Sequence, residues 1–182
     1  MVQRGSILLI DDEINIRESI KEALCDDYAI VAARSGEEAI EMIKRGSPNL
    51  VILDIKLPGI DGIDTLRLIK SIDVAVPVIM LSAVRTVSTV IKSYKMGAYD
   101  YFDKPFDLEK LKASVARAMQ IDRNDTCYEE HELPLDIDSF IQSVIDDTVR
   151  DRANLEQALQ LFRERYIELV TDKYMRNQIL KH

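Results

Sequence analysis

The chain has 182 residues, 47% hydrophobic and 31% charged, a balance that excludes wholesale disorder and leaves room for one well-cored domain with an appendage. Its net charge of -8 divides as 16 Lys and Arg against 18 Asp and Glu in residues 1–121, and 8 against 14 in residues 122–182, so no basic stripe is on hand to neutralise phosphates and direct nucleic-acid binding is not expected. The two cysteines, Cys25 and Cys127, lie far apart without CxxC spacing, and no apolar run approaches about 18 residues, which argues against a disulfide framework, a zinc site or a membrane span and points to a cytoplasmic protein.

Taken in order, Ile7-Leu8-Leu9-Ile10 reads as a strand that runs into Asp11-Asp12-Glu13, followed by a helix with Ile14, Ile16, Ile20, Ala23 and Leu24 at near-helical spacing. Ala29–Ala32 is a second strand. Ser35-Gly36-Glu37-Glu38 opens the next helix as a capping box, with Ala39, Ile40 and Ile43 inward and Gly46-Ser47-Pro48 as the stop. A third strand, Leu50-Val51-Ile52-Leu53, ends at Asp54 and passes through Lys56-Leu57-Pro58-Gly59 to Asp61-Gly62-Ile63-Asp64, where a helix bearing Ile63, Leu66, Leu68 and Ile69 begins. Pro77–Leu81 is the fourth strand, finishing at Ser82-Ala83. Thr86 starts a helix with Val87, Val90, Ile91 and Tyr94, closed by Gly97, and Ala98–Phe102 forms a fifth strand leading to Asp103-Lys104-Pro105-Phe106. The last helix of this set runs from Asp107 with Leu108, Leu111, Val115 and Ala118 on one side. Five strands alternating with five helices imply a doubly wound α/β domain with a parallel sheet and right-handed crossovers.

Such a sheet gathers its carboxyl ends at one edge, where ligands bind. Asp11 and Asp12 follow the first strand, Asp54 ends the third, Ser82 the fourth, and Lys104 lies just past the fifth, so these residues are expected to converge. Taken singly, each has a plainer use: the acids as helix caps and the serine as a turn former. Together, three carboxylates suit a hard octahedral cation such as Mg2+, and Lys104 with the Ser82 hydroxyl can hold phosphoryl oxygens as charge moves.

These residues carry a resemblance. Asp11-Asp12, the stretch Leu53-Asp54-Ile55-Lys56-Leu57-Pro58-Gly59-Ile60-Asp61-Gly62, Leu81-Ser82-Ala83, and Gly97-Ala98-Tyr99-Asp100-Tyr101-Phe102-Asp103-Lys104-Pro105-Phe106 together make residues 1–121 similar to the receiver domain of two-component response regulators. The resemblance implies a flavodoxin-like sheet of order 2-1-3-4-5. It implies that Asp54 takes a phosphoryl group from a sensor histidine kinase, that Asp11, Asp12 and Asp54 place Mg2+, and that Ser82 and Tyr101 form a switch pair. Under this reading the chain is a signalling phosphoacceptor that promotes its own phosphorylation and dephosphorylation, with Asp54, Lys104 and Ser82 doing the chemistry. Tyr94, Lys95 and Tyr101 would form the readout surface, Lys104-Pro105 would be a cis peptide, and Lys56 is a solvated loop residue or a tuner of phosphoryl lifetime.

Residues 122–135 are polar and broken by Leu133-Pro134, which reads as a linker, and residues 136–182 carry two amphipathic helices, one through Ile137, Phe140, Ile141, Val144, Ile145 and Val149 and one through Leu155, Leu159, Phe162, Tyr166, Leu169, Val170 and Tyr174. Two such helices bury little alone, so a homodimer or a hairpin folded back on the first domain is expected. Residues 158–167 are similar to the dimerising helix of nitrogen-regulator-type transcription factors. A DNA-binding regulator, or part of one, is therefore the alternative, although no recognition helix or GxxxxGK[ST] loop is present in these residues. A third possibility, an Asp54-dependent hydrolase, needs lid insertions that the short connections do not provide. His131 as a phosphoacceptor has only a breaker-rich linker around it.

Overall fold

Uninterrupted apolar runs become strands here because a strand covered by helices on both faces has no solvent side to mark with polar residues. In the computed structural model, which describes residues 5–83 and 87–120, these runs are β1 (Ser6–Ile10), β2 (Ala29–Ala33), β3 (Leu50–Asp54), β4 (Val78–Ser82) and β5 (Asp100–Asp103). All pair in parallel, in the order β2-β1-β3-β4-β5. Every residue of β3 and β4 is buried, and each Ile or Leu so placed contributes about 1.5–3 kcal/mol. Marginal β2 leaves Val31 52% exposed.

The crossovers are α1 (Ile14–Leu24), α2 (Gly36–Arg45), α3 (Gly62–Ile72), α4 (Val87–Lys95) and α5 (Leu108–Ala118). α1 packs beside α5 and α2 beside α3, while α4 lies along β5. This is the doubly wound sheet that the resemblance implies. Three helices start on side-chain caps. Ser35 accepts from Glu38 N at 3.3 Å, Asp61 from Asp64 N at 2.8 Å, and Asp107 from Glu109 N at 2.8 Å. The capping box closes one residue early, since Glu38 Oε2 accepts from Arg34 N at 2.8 Å.

Several expectations are corrected. Ile14 is 61% and Leu68 40% exposed, because helical spacing drew the buried stripe too wide. Tyr94 is only 1% exposed, so it belongs to the core and not to a readout surface, whereas Lys95 is exposed. β5 starts at Asp100 rather than Ala98, whose N–H instead closes the end of α4 on Ser93 O at 3.0 Å. The expected helix start at Thr86, the side chain of Val87, the linker and both tail helices lie outside the described residues. All described residues fall in the first of two units into which the chain divides, Met1–Arg123.

Candidate functional site

Parallel register decides what meets at the carboxyl edge. Ile10 pairs with Leu53, which sets Asp11, one residue beyond β1, beside Asp54 at the end of β3. Asp54 pairs with Leu81, and Ser82 with Asp103, so Ser82 and Lys104 follow on the adjoining strands. The Lys104 N–H donates to Ser82 O at 2.6 Å, and the Lys104-Pro105 peptide is cis.

Lys104 Nζ donates to Asp11 Oδ2 at 2.8 Å, Asp54 Oδ2 at 2.9 Å and Glu13 Oε1 at 3.2 Å. The second oxygens of the two buried carboxylates are also engaged. Asp11 Oδ1 accepts from Glu13 N at 2.9 Å and Asp54 Oδ1 from Lys56 N at 3.3 Å. Asp12 is exposed, yet it brings one carboxylate oxygen within 4.8 Å of oxygens from Asp11 and Asp54. Three carboxylates thus hold one ammonium, with a fourth, Asp12, beside two of them. Burial pushes the Asp11 carboxyl above its ordinary range, and the bonds from Lys104 and Glu13 N only partly offset this. For Lys104, burial acts downward, but its bonds to Asp11 and Asp54 outweigh it and hold the ammonium above the ordinary lysine value.

The loop after Asp54 is held by two glycines. A Cβ on Gly62 would stand 2.1 Å from Asp54 O, so only glycine lets α3 begin against the strand end. Gly59 takes a φ of +80, and Ile60 N beside it donates to Glu37 Oε1 at 3.0 Å. Lys56 is exposed.

On the other side of Asp54, Ser82 is fully buried and Tyr101 is 5% exposed. The two side chains are hydrogen-bonded to each other, so the ring already sits inward; burial raises the phenol's pKa, with Asp103 and Asp54 adding to the effect. The structure therefore brings together Asp11, Asp12, Asp54 and Lys104, and places Ser82 at the end of β4 with Tyr101, from within β5, bonded to it.

Sequence reasoning missed three groups. Glu13 is bound to Lys104, and Arg17, 8% exposed, donates from Nη1 to Asp11 O at 2.6 Å. Asp100, buried at the head of β5, accepts from Tyr101 N at 2.8 Å, from Tyr94 OH at 3.4 Å and from Ser114 Oγ, tying α4 and α5 to β5. The Arg17 and Asp100 roles left no signal beyond a charged residue on an otherwise inward position.

No helix among the described residues is long and apolar enough to cross a membrane. Residues 7–116 match the response regulator receiver domain. Over 119 residues the chain is 33% identical to the sporulation initiation phosphotransferase F of Bacillus subtilis (strain 168), covering 65% of this chain and 96% of that one. It is 31% identical over 137 residues to the DNA-binding transcriptional regulator NtrC of Escherichia coli (strain K12), covering 75% of this chain but only 28% of the length of NtrC. Among solved structures, the signal receiver domain of a putative Luxo repressor protein from Vibrio parahaemolyticus aligns with a TM-score of 0.64 at 31% identity, over 71% of this chain and 100% of that domain. A match that spans the whole parallel sheet, with near-complete coverage of a relative a third identical, establishes that the chain belongs to the response regulator receiver family of two-component signalling.

Proposed function

We propose that Asp54 accepts a phosphoryl group from the phosphohistidine of a sensor kinase and that the receiver then switches. A carboxylate oxygen of Asp54 forms the bond to phosphorus as the phosphorus–nitrogen bond breaks, its electron pair returning to the imidazole nitrogen. The observation that carries this reading is the buried Asp54 held 2.9 Å from Lys104 Nζ, an ammonium that stays charged and can neutralise incoming phosphoryl oxygens.

Asp11, Asp12 and Asp54 suit Mg2+ as a donor set. Oxygens on one Mg2+ lie roughly 3–4 Å apart, so three carboxylates within 4.8 Å of one another need only a small closure. Bound there, Mg2+ would shield the attacking carboxylate from the phosphoryl charge. The Ser82 hydroxyl, now shared with Tyr101, would turn to a phosphoryl oxygen and leave the phenol to settle anew, which moves the β4–β5 side. The chain in this reading is a phosphoacceptor and not an enzyme acting on an outside substrate. Labelling with acetyl phosphate and Mg2+ tests it: wild type is expected to take up one phosphoryl group, and persistence of that label in Asp54→Asn would refute the assignment.

The amphipathic pattern of residues 136–182 supports a helical output segment that dimerises or binds a partner protein, after a linker at residues 122–135 and a receiver ending near 121. A DNA-binding regulator is the second reading, favoured by the NtrC relative, of which this chain matches little more than a quarter. Salt-dependent DNA affinity separates the two. Mass in solution with and without beryllofluoride and Mg2+ tests the dimer.

A further inference from the structure

Lys104 has three N–H donors, and three carboxylates take them: Asp11 at 2.8 Å, Asp54 at 2.9 Å and Glu13 at 3.2 Å. A phosphoryl donor arriving at Asp54 needs one of these hydrogens before any bond has formed, while Asp54 is still an anion. The three partners are not equally easy to displace. Asp11 is 0% and Asp54 3% exposed at the side chain, so losing the ammonium would strand a buried charge. Glu13 is 60% exposed and makes the longest contact, so water can rehydrate it at little cost. A second observation concerns its backbone position. Glu13 is the N-cap of α1, yet its side chain makes no cap hydrogen bond and reaches to Lys104 instead.

We propose that Glu13 is a releasable counter-ion, a positioning residue that holds the third hydrogen of Lys104 until a phosphoryl oxygen displaces it. It thereby sets the donor concentration at which Asp54 loads. While it is in place, Lys104 stays aimed between Asp11 and Asp54 and the site carries one more negative charge against small anionic donors. This rests on the phosphoacceptor reading above.

The test compares the full chain with its Glu13→Gln and Glu13→Ala variants at saturating Mg2+, by beryllofluoride titration and by the rate of labelling with acetyl phosphate. An exposed charge-assisted contact corresponds to a change of about two- to fivefold. Both variants are expected to bind beryllofluoride tighter by that factor and to reach half-maximal labelling at correspondingly lower acetyl phosphate, with the rate at saturation unchanged. A merely structural loosening would instead lower the saturated rate. Unchanged or weaker beryllofluoride affinity in the variants, or a lowered saturated rate, would overturn the role of Glu13 while wild-type binding leaves the phosphoacceptor reading standing. No beryllofluoride binding by the wild type would overturn both.

Discussion

At the β1–β3 side of the site the polar groups are already bound to one another, with Asp11 and Asp54 each accepting from Lys104 and from a backbone N–H. At the β4–β5 side Ser82 and Tyr101 are bonded to each other, and Tyr101 is linked through its N–H to Asp100 and so to α4 and α5. The first side resists rearrangement, since breaking it strands buried charge. On the second side the two hydroxyls of Ser82 and Tyr101 are uncharged groups, and exchanging one hydroxyl partner for a phosphoryl oxygen costs little. Under the phosphoacceptor reading proposed above, this contrast would give rigidity to Asp54 and movement to the Ser82–Tyr101 pair.

The strongest way to break this comparison is at Asp54. Asp54→Asn should abolish acetyl phosphate labelling while circular dichroism stays that of the wild type. Next in size is Lys104→Met, which leaves Asp11 and Asp54 without their ammonium. It should destabilise the metal-free protein by about 3 kcal/mol in urea unfolding, with Mg2+ restoring part of the loss. The raised pKa of Lys104 gives this pairing a definite sign: its contribution is fully present below the ordinary lysine value and is lost as pH rises through the folded-state value.

Ser82→Ala tests the labile side. Loss of one hydrogen bond to a charged oxygen should slow labelling about tenfold, with a far smaller effect on unfolding than Lys104→Met. Equal destabilisation by the two variants would erase the distinction between the sides. The smallest effect is expected from Asp11→Asn. Because burial raises Asp11, its ionised form costs the folded state stability above the folded-state pKa, and that cost is relieved as pH falls through it. The variant should therefore melt somewhat higher than wild type near neutral pH without Mg2+, converge with it in acid, and lose most Mg2+ stabilisation.

Much of the domain was legible before any coordinates. β3 and β4 are short apolar runs ending in a polar residue, and a strand buried on both faces has little other way to be written. Helix starts at Ser35, Asp61 and Asp107 could be read because a capping oxygen acts on N–H groups two or three residues away. Tyr94 could not be placed: on a helical wheel it fits either a core or a surface edge, and only its bond to buried Asp100 settles the matter. Ile14 fits the stripe of α1 in spacing, yet as the first residue of that helix it stands 61% exposed, while Ile20 and Leu24 further along are buried.

By itself the sequence determined the alternation of strands and helices, the acids and lysine at the strand ends, and membership in a family whose motifs it carries in order. These are local or near-local properties, expressed through hydropathy period, capping and turn chemistry. Only the tertiary structure decided that Lys104 is shared among Asp11, Asp54 and Glu13, that Tyr101 already lies against Ser82, and that Asp100 ties α4 and α5 to β5. Those facts depend on parallel register between strands as far apart as residues 10 and 104 and on the burial that register creates, and neither is encoded in any single stretch of the chain.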